Sequence, residues 1–153
     1  MVNRFPDAAP LEAIVEWCPG LGVDGFELSI GRVWDLARAG DVLGAAGLFF
    51  ATAHADKAIG AELLDDPDAA LDVLAANCRL TARLGAELVV LHLWELPVGD
   101  RRLDDNLRLL PACLDIAEAE GLTLAVETIP CSVGTPVQNV HRAIDRDGRC
   151  GVA

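Results

Sequence analysis

The sequence predicts an α/β fold in which parallel strands alternate with helices, and two observations carry that expectation. Short apolar runs alternate with amphipathic stretches along all 153 residues, and three of the runs, 48–54, 88–92 and 122–127, finish on one ionisable residue each: His54, His92 and Glu127. A short, continuous apolar run bounded by turn residues reads as a strand buried on both faces, the setting of a parallel sheet covered by helices. The three ionisable residues then share one end of one sheet. In parallel α/β folds that carboxyl end is where ligands bind.

Each element has its own local signal. Leu11, Ile14, Val15 and Cys18 fall on one helical face with Pro10 at a first-turn position, so a helix is expected over 11–18, broken by Pro19-Gly20 and Gly22. Gly25-Phe26-Glu27-Leu28-Ser29 reads as a short strand, and 34–46 as a weaker helix before the run that ends on His54. Asp66-Pro67 is an N-cap followed by proline at the first helical position, and Leu71, Leu74, Cys78 and Thr81 continue one face to about Leu84. Leu103, Leu107, Leu110, Leu114 and Ala117 form the strongest amphipathic stripe, which Gly121 ends before the run to Glu127. Thr135-Pro136-Val137-Gln138 combines a capping box with proline at N1, and Val137, Val140 and Ile144 are the expected buried face of a last helix. Residues 149–153 resemble the opening of one more strand. Repeated units of this kind fit either an open doubly wound sheet or part of an eightfold barrel, and patterning alone does not separate the two.

Composition narrows the function. The length fits one domain, and no apolar stretch approaches the ~20 residues that cross a bilayer, so a soluble, cytoplasmic protein without a membrane partner is expected. Acidic side chains outnumber basic ones 24 to 12, a formal charge of −12 that opposes a nucleic-acid partner. Five cysteines at wide spacings without a C-x-x-C pair indicate neither a disulfide framework nor a zinc knuckle. No G-x-G-x-x-G follows a strand, so a dinucleotide site has little support.

Glu127 is the strongest site candidate. A carboxylate at the end of an apolar strand is costly to bury unless a cation or hydrogen bonds compensate it, and a hard oxygen donor suits Mg²⁺, Mn²⁺ or Zn²⁺; the bland alternative is a glutamate reaching solvent. His92 and His54 can each ligate a metal, bond a substrate hydroxyl, or sit as hydrogen-bonded core histidines. Trp94 can form an apolar wall against a sugar ring or pack in the core, and Glu27 can bond a loop amide or line the pocket. His141 reads as a surface residue, and the Asp65-Asp66-Pro67-Asp68 cluster as helix capping.

Taken together, Gly22-Val23-Asp24-Gly25-Phe26-Glu27-Leu28, Ala53-His54-Ala55, Leu84-Gly85-Ala86-Glu87-Leu88-Val89-Val90-Leu91-His92 and Leu124-Ala125-Val126-Glu127-Thr128 resemble the xylose-isomerase-like TIM barrel superfamily. That group includes sugar phosphate isomerases and epimerases, inosose dehydratases and endonuclease IV type barrels. The resemblance spans essentially the whole chain. It implies a divalent metal at the carboxyl end of a (β/α)₈ barrel, with Glu127 as metal ligand and acid/base carboxylate, and His92 and His54 as metal ligands or catalytic groups facing the substrate. The Pro-Gly pair common after the family's histidine is replaced by Leu93-Trp94-Glu95, and Asp56 and Lys57 stand where an asparagine is often found after Ala-His-Ala.

The family's later ligands, in an Asp-x-Gly-His-like segment and the last two strands, have no counterpart in this sequence. The resemblance therefore implies a single incomplete barrel domain over 1–153, a partial (β/α)₈ TIM barrel from the first helix to the start of the sixth family strand. A sugar or sugar-phosphate isomerase or epimerase is the expected activity, carried by a fragment that is inactive alone. The alternatives are an endonuclease IV-like zinc phosphodiesterase, which the acidity opposes, and a non-catalytic half-barrel assembly subunit. A partial barrel is also expected to expose apolar inner-face side chains and to self-associate through its edges.

Overall fold

In the computed structural model, which describes residues 10–30, 36–94, 99–128 and 134–153, five short strands pair in the order in which they occur. They are β1 (Gly25–Ser29), β2 (Phe49–His54), β3 (Leu88–Leu91), β4 (Thr123–Val126) and β5 (Gly151–Val152), and every pairing is parallel. A doubly wound sheet reverses its strand order at a switch point. Here the order never reverses, so right-handed crossovers put the helices on one side of the sheet, as in a (β/α)₈ barrel. The architecture is that of a partial TIM barrel.

The pairing register sorts the strand side chains into two faces. On one, Leu28, Ala53, Val89 and Leu124 form a row, followed by Leu91, Val126 and Val152. This face packs against the helices. Val89, Leu91, Leu124 and Val126 share a core cluster with Leu74 and Cys78 of α5 (Pro67–Arg83) and with Leu103, Leu107, Leu110 and Leu114 of α6 (Leu103–Ala119). Leu28, Phe50 and Ala53 share a second cluster with Val15, Cys18, Ala39 and Leu43. Val15 belongs to α1 (Leu11–Val15), Cys18 to α2 (Cys18–Leu21), and Ala39 and Leu43 to α3 (Leu36–Ala45).

The opposite face corresponds to a barrel interior. Its rows are Glu27, Thr52, Leu88 and Thr123, then Ser29, His54, Val90, Ala125 and Gly151. The expected exposure of apolar side chains on this face is seen at Phe49, which pairs with Gly25 on it and is 55% exposed, and in part at half-buried Leu88, whereas Glu27, Ser29, Thr52 and Thr123 are polar and Val90 and Ala125 are buried. Away from this face, large exposed apolar groups include Trp17, Leu21 and Val152 on the edge strand β5. Between Phe26 and Glu27 of β1 the register slips, so that Phe50 and Ala53 both face the helices.

Several helix boundaries follow the sequence signals. Asp66 caps α5 by accepting the Ala69 N–H at 3.1 Å. At α7 (Pro136–Arg146) Thr135 Oγ1 accepts the Gln138 N–H and Gln138 Oε1 accepts the Thr135 N–H, both at 3.1 Å, the reciprocal capping box. The left-handed backbone of Gly121 (φ 73°) turns the chain from α6 into β4, a conformation that strains any side chain with a Cβ.

Other boundaries differ from expectation. The helix expected over 11–18 is two pieces, because a continuous helix would need a Pro19 N–H to bond the Val15 carbonyl and proline has none. The chain restarts as α2, with Pro19 in its first turn. A one-turn helix, α4 (Ile59–Glu62), follows β2, launched where Asp56 Oδ1 accepts the Ala58 N–H at 2.9 Å. On α7, Val137 is exposed, and the buried face is Asn139, Val140 and Ala143.

Pro111 lies inside α6 and leaves the Leu107 carbonyl without its helical partner. The Nε–H of Arg146, from α7, donates to that carbonyl at 3.1 Å. A helix defect is thereby satisfied by the next helix of the barrel wall.

Candidate metal and substrate site

His54 is the last residue of β2, His92 follows β3, and Glu127 follows β4, so the three leave neighbouring strands at the same, carboxyl, end. All three belong to the inner face: His54 is level with Val90 and Ala125, and His92 and Glu127 stand two residues beyond those. Continued ladder bonds hold their backbones. The His54 carbonyl accepts the Ile30 N–H at 2.8 Å, and the Glu127 N–H donates to the Leu91 carbonyl at 3.1 Å.

The side chains converge on one carboxylate oxygen. His54 Nε2 lies 2.9 Å from Glu127 Oε2, and His92 Nε2 contacts the same oxygen. One ligand atom from each residue lies within 4.8 Å of the others, and this is the one group of three possible ligands among the described residues. The imidazole rings are 5.3 Å apart and tilted by 57°. His54 and His92 are almost fully buried, whereas Glu127 is partly exposed.

Hydrogen bonding assigns the protons. His54 Nδ1 faces the Ala55 carbonyl at 3.0 Å, and a carbonyl only accepts, so Nδ1 carries the proton and neutral His54 presents a lone pair at Nε2. That lone pair is aimed at a carboxylate, an arrangement that calls for a second proton or a cation between them. Metal-bound histidines usually donate their other ring N–H in this way, so His54 and Glu127 fit a divalent ion. His92 offers Nε2 to the same point, while its buried Nδ1 has no partner among the described residues. Its neutral form is satisfied when Nε2 carries the proton and donates to Glu127 or to a bound hydroxyl.

The electrostatics agree. Burial disfavours charge on His92 more than Glu127 favours it, so its pKa lies below the ordinary histidine value and the ring is neutral near pH 7. Burial works against ionising Glu127, but in the acid range where its carboxyl titrates the histidines are protonated, and the hydrogen bond from His54, the charges of both imidazoliums and that of Lys57 outweigh burial, so its pKa lies below the usual carboxylate value. Glu127 is therefore an anion at neutral pH.

The loop after β2 is tied in place by the Asp56 N–H, which donates to Asn77 Oδ1 of α5 at 2.8 Å, and Lys57 stands exposed beside it. Glu27 lies lower on the inner face, where it accepts the Thr52 hydroxyl at 3.3 Å, away from the three strand ends. His141 is exposed on α7. Of the acidic cluster, Asp66 caps α5 and Asp65 pairs with Arg102. Trp94 is 1% exposed, so no ring face is open to a sugar, and its indole N–H donates to the Glu127 carbonyl at 2.8 Å. Cys18, Cys78, Cys113 and Cys150 are buried free thiols, and Cys131 lies outside the described residues.

Sequence reasoning missed Gly60 and Asn106, which fasten residues 92–94. The signal was available for Asn106, a polar residue set within the apolar stripe of α6. Nothing local marked Gly60.

No family model matches the sequence, and no curated protein matches it. Solved structures do match by fold. A xylose isomerase-like TIM barrel protein from Mycobacterium smegmatis, solved in complex with magnesium, superposes with a TM-score of 0.70 at 19% identity, over 98% of this chain and 60% of that one. A protein from Sinorhizobium meliloti gives 0.73 at 22% identity, over 96% and 58%. D-psicose 3-epimerase from Clostridium cellulolyticum H10, solved with D-tagatose, gives 0.70 at 13% identity, over 94% and 57%. This chain thus spans less than two thirds of the length of each of these barrels. Its five strands, taken in order, have the fold of a xylose isomerase-like TIM barrel.

Proposed function

We propose that residues 1–153 form a single incomplete barrel domain carrying part of the active site of a metal-dependent sugar or sugar-phosphate isomerase or epimerase. The observation that carries this reading is the convergence of His54, His92 and Glu127 at the carboxyl ends of three adjacent parallel strands. The fold, shared with a magnesium-bound barrel and an epimerase, supports it. A small sugar or sugar phosphate is the partner this site suits. A net charge of −12 disfavours nucleic acid, and no helix among the described residues is long and apolar enough to cross a membrane.

In this reading Glu127 and His54, with Nε2 of His92, hold Mn²⁺, Mg²⁺ or Zn²⁺. When bound, such an ion supplies positive charge that favours loss of the proton next to a sugar carbonyl. The residues do the rest. Glu127, ionised and partly exposed, binds the ion and can accept a proton. The neutral His54 ring, with Nδ1 donating to the Ala55 carbonyl, turns its Nε2 lone pair to the ion, and His92, held neutral by burial, offers Nε2 as the third ligand.

Three donors form an incomplete coordination shell, so the expected behaviour of these 153 residues alone is weak metal binding and no measurable turnover. Calorimetric titration with Mn²⁺, Mg²⁺ and Zn²⁺, with a ketose epimerisation assay, tests this on the wild type and Glu127→Gln. Loss of binding in the variant supports the reading. Unchanged binding in Glu127→Gln, or full turnover by the unmodified chain, overturns it.

A further inference from the structure

We propose that Trp94 is a positioning residue for this site: its indole N–H fixes the backbone of Glu127 so that the carboxylate stays between His54 and His92. The ligand bound there rests on the preceding section; the positioning does not.

A buried indole N–H requires an acceptor, and that of Trp94 takes the Glu127 carbonyl at 2.8 Å. The Glu127 N–H is bonded in turn to the Leu91 carbonyl at 3.1 Å. Both backbone polar groups of Glu127 are therefore held by β3 and the segment that follows it. Such a segment can fix its neighbour only if it is itself rigid.

Two contacts make it so. At Gly60 of α4 an added Cβ would lie 2.3 Å from the His92 carbonyl oxygen, 2.7 Å from that of Trp94 and 2.8 Å from the Trp94 nitrogen, so the helix backbone rests directly on residues 92–94. From the other side Asn106 of α6, fully buried, donates through Nδ2 to the Gly60 carbonyl at 2.7 Å and the Leu93 carbonyl at 2.9 Å. One amide thus binds α4 and the β3 loop together. Since this clamped segment also bears His92, a single rigid unit sets both the imidazole and, through Trp94, the carboxylate that meets it. Sites of this kind lose function when their supports let ligands drift by about 0.5 Å.

The test uses Trp94→Phe, which keeps an aromatic ring and removes the N–H, and Leu43→Ala, which opens a cavity in the other core cluster. In the metal-free protein, imidazole ¹⁵N resonances report the contacts of His54 and His92 with Glu127. Trp94→Phe is expected to shift both and to weaken Mn²⁺ binding about 10–100-fold, the range typical of outer supports of metal ligands. Leu43→Ala is expected to lower the melting temperature and leave both resonances in place. Unshifted histidine resonances in Trp94→Phe, or equal shifts in both variants, overturn the proposal. If the wild type binds no Mn²⁺, the metal reading falls while the resonances still decide the role of Trp94. Should Trp94→Phe not fold, hydrogen exchange of the wild-type indole decides: strong protection supports the bond to Glu127, and rapid exchange overturns it.

Discussion

The pairing of Pro111 with Arg146 offers a quantitative test of how this barrel wall is built. Pro111 costs α6 a hydrogen bond, and an interior proline disfavours a helix by about 3 kcal/mol relative to alanine. The Arg146 Nε–H, 3.1 Å from the Leu107 carbonyl, supplies the missing donor. A hydrogen bond from a charged group contributes about 1.5–3 kcal/mol, and the partial burial of this one places it near the lower figure. Arg146→Met removes the donor and keeps an apolar stem, so it should cost about 1.5 kcal/mol, or a fall of roughly 3–6 °C in melting temperature for a chain of this size. In a Pro111→Ala background the alanine N–H takes the carbonyl, and the same substitution should cost less than about 0.5 kcal/mol. The coupling of about 1 kcal/mol exceeds the usual error in additivity of roughly 0.3–0.5 kcal/mol. Urea unfolding of the four proteins measures it. Equal costs in the two backgrounds would refute the compensation.

Further expectations concern the site supports, caps, thiols and edges. Gly60→Ala should lower the melting temperature, because its Cβ would meet the His92 carbonyl at 2.3 Å; Gly40→Ala, whose nearest neighbour is a Leu84 methyl at 3.8 Å, should raise it. A Gly60→Ala protein more stable than wild type would contradict the clamp. Thr135→Ala should cost about 1 kcal/mol in unfolding experiments by removing the cap of α7, with Thr135→Ser close to wild type. Burial pushes the Cys78 thiol up to about 11 and Cys113 to about 12, so both should resist alkylation at pH 8 until the protein unfolds. Labelling of the folded protein at the rate of a free thiol would disprove this. Strands β1 and β5 are the sheet edges among the described residues, and self-association through them is expected in sedimentation experiments at rising concentration; a monomer throughout would count against it.

What the sequence determined by itself is everything that short-range chemistry encodes. The apolar runs ending on His54, His92 and Glu127 lie at strand ends, and the stripe from Leu103 to Ala117 is the buried face of α6. Asp66 and Thr135 cap helices because their oxygens reach N–H groups three residues away, a distance that a sequence displays directly. Parity did the rest, since alternate residues of a strand face the same side and the three strand ends inherit that face.

Only the tertiary structure decided what depends on distant partners. Barrel-like order became distinct from a doubly wound sheet only through the pairing sequence, because both arrangements share the same alternation of elements. The burial of Asn139 in place of Val137 depends on how α7 sits against its neighbours, and tolerance of Pro111 depends on Arg146, 35 positions along the 153-residue sequence. Trp94 shows the limit most clearly. Its neighbours allow a sugar-binding wall or a core residue, and only the fold, which brings the Glu127 carbonyl within 2.8 Å of its indole, makes it a support for the site. Such contacts join residues that are remote along the chain, where no local pattern records the partner.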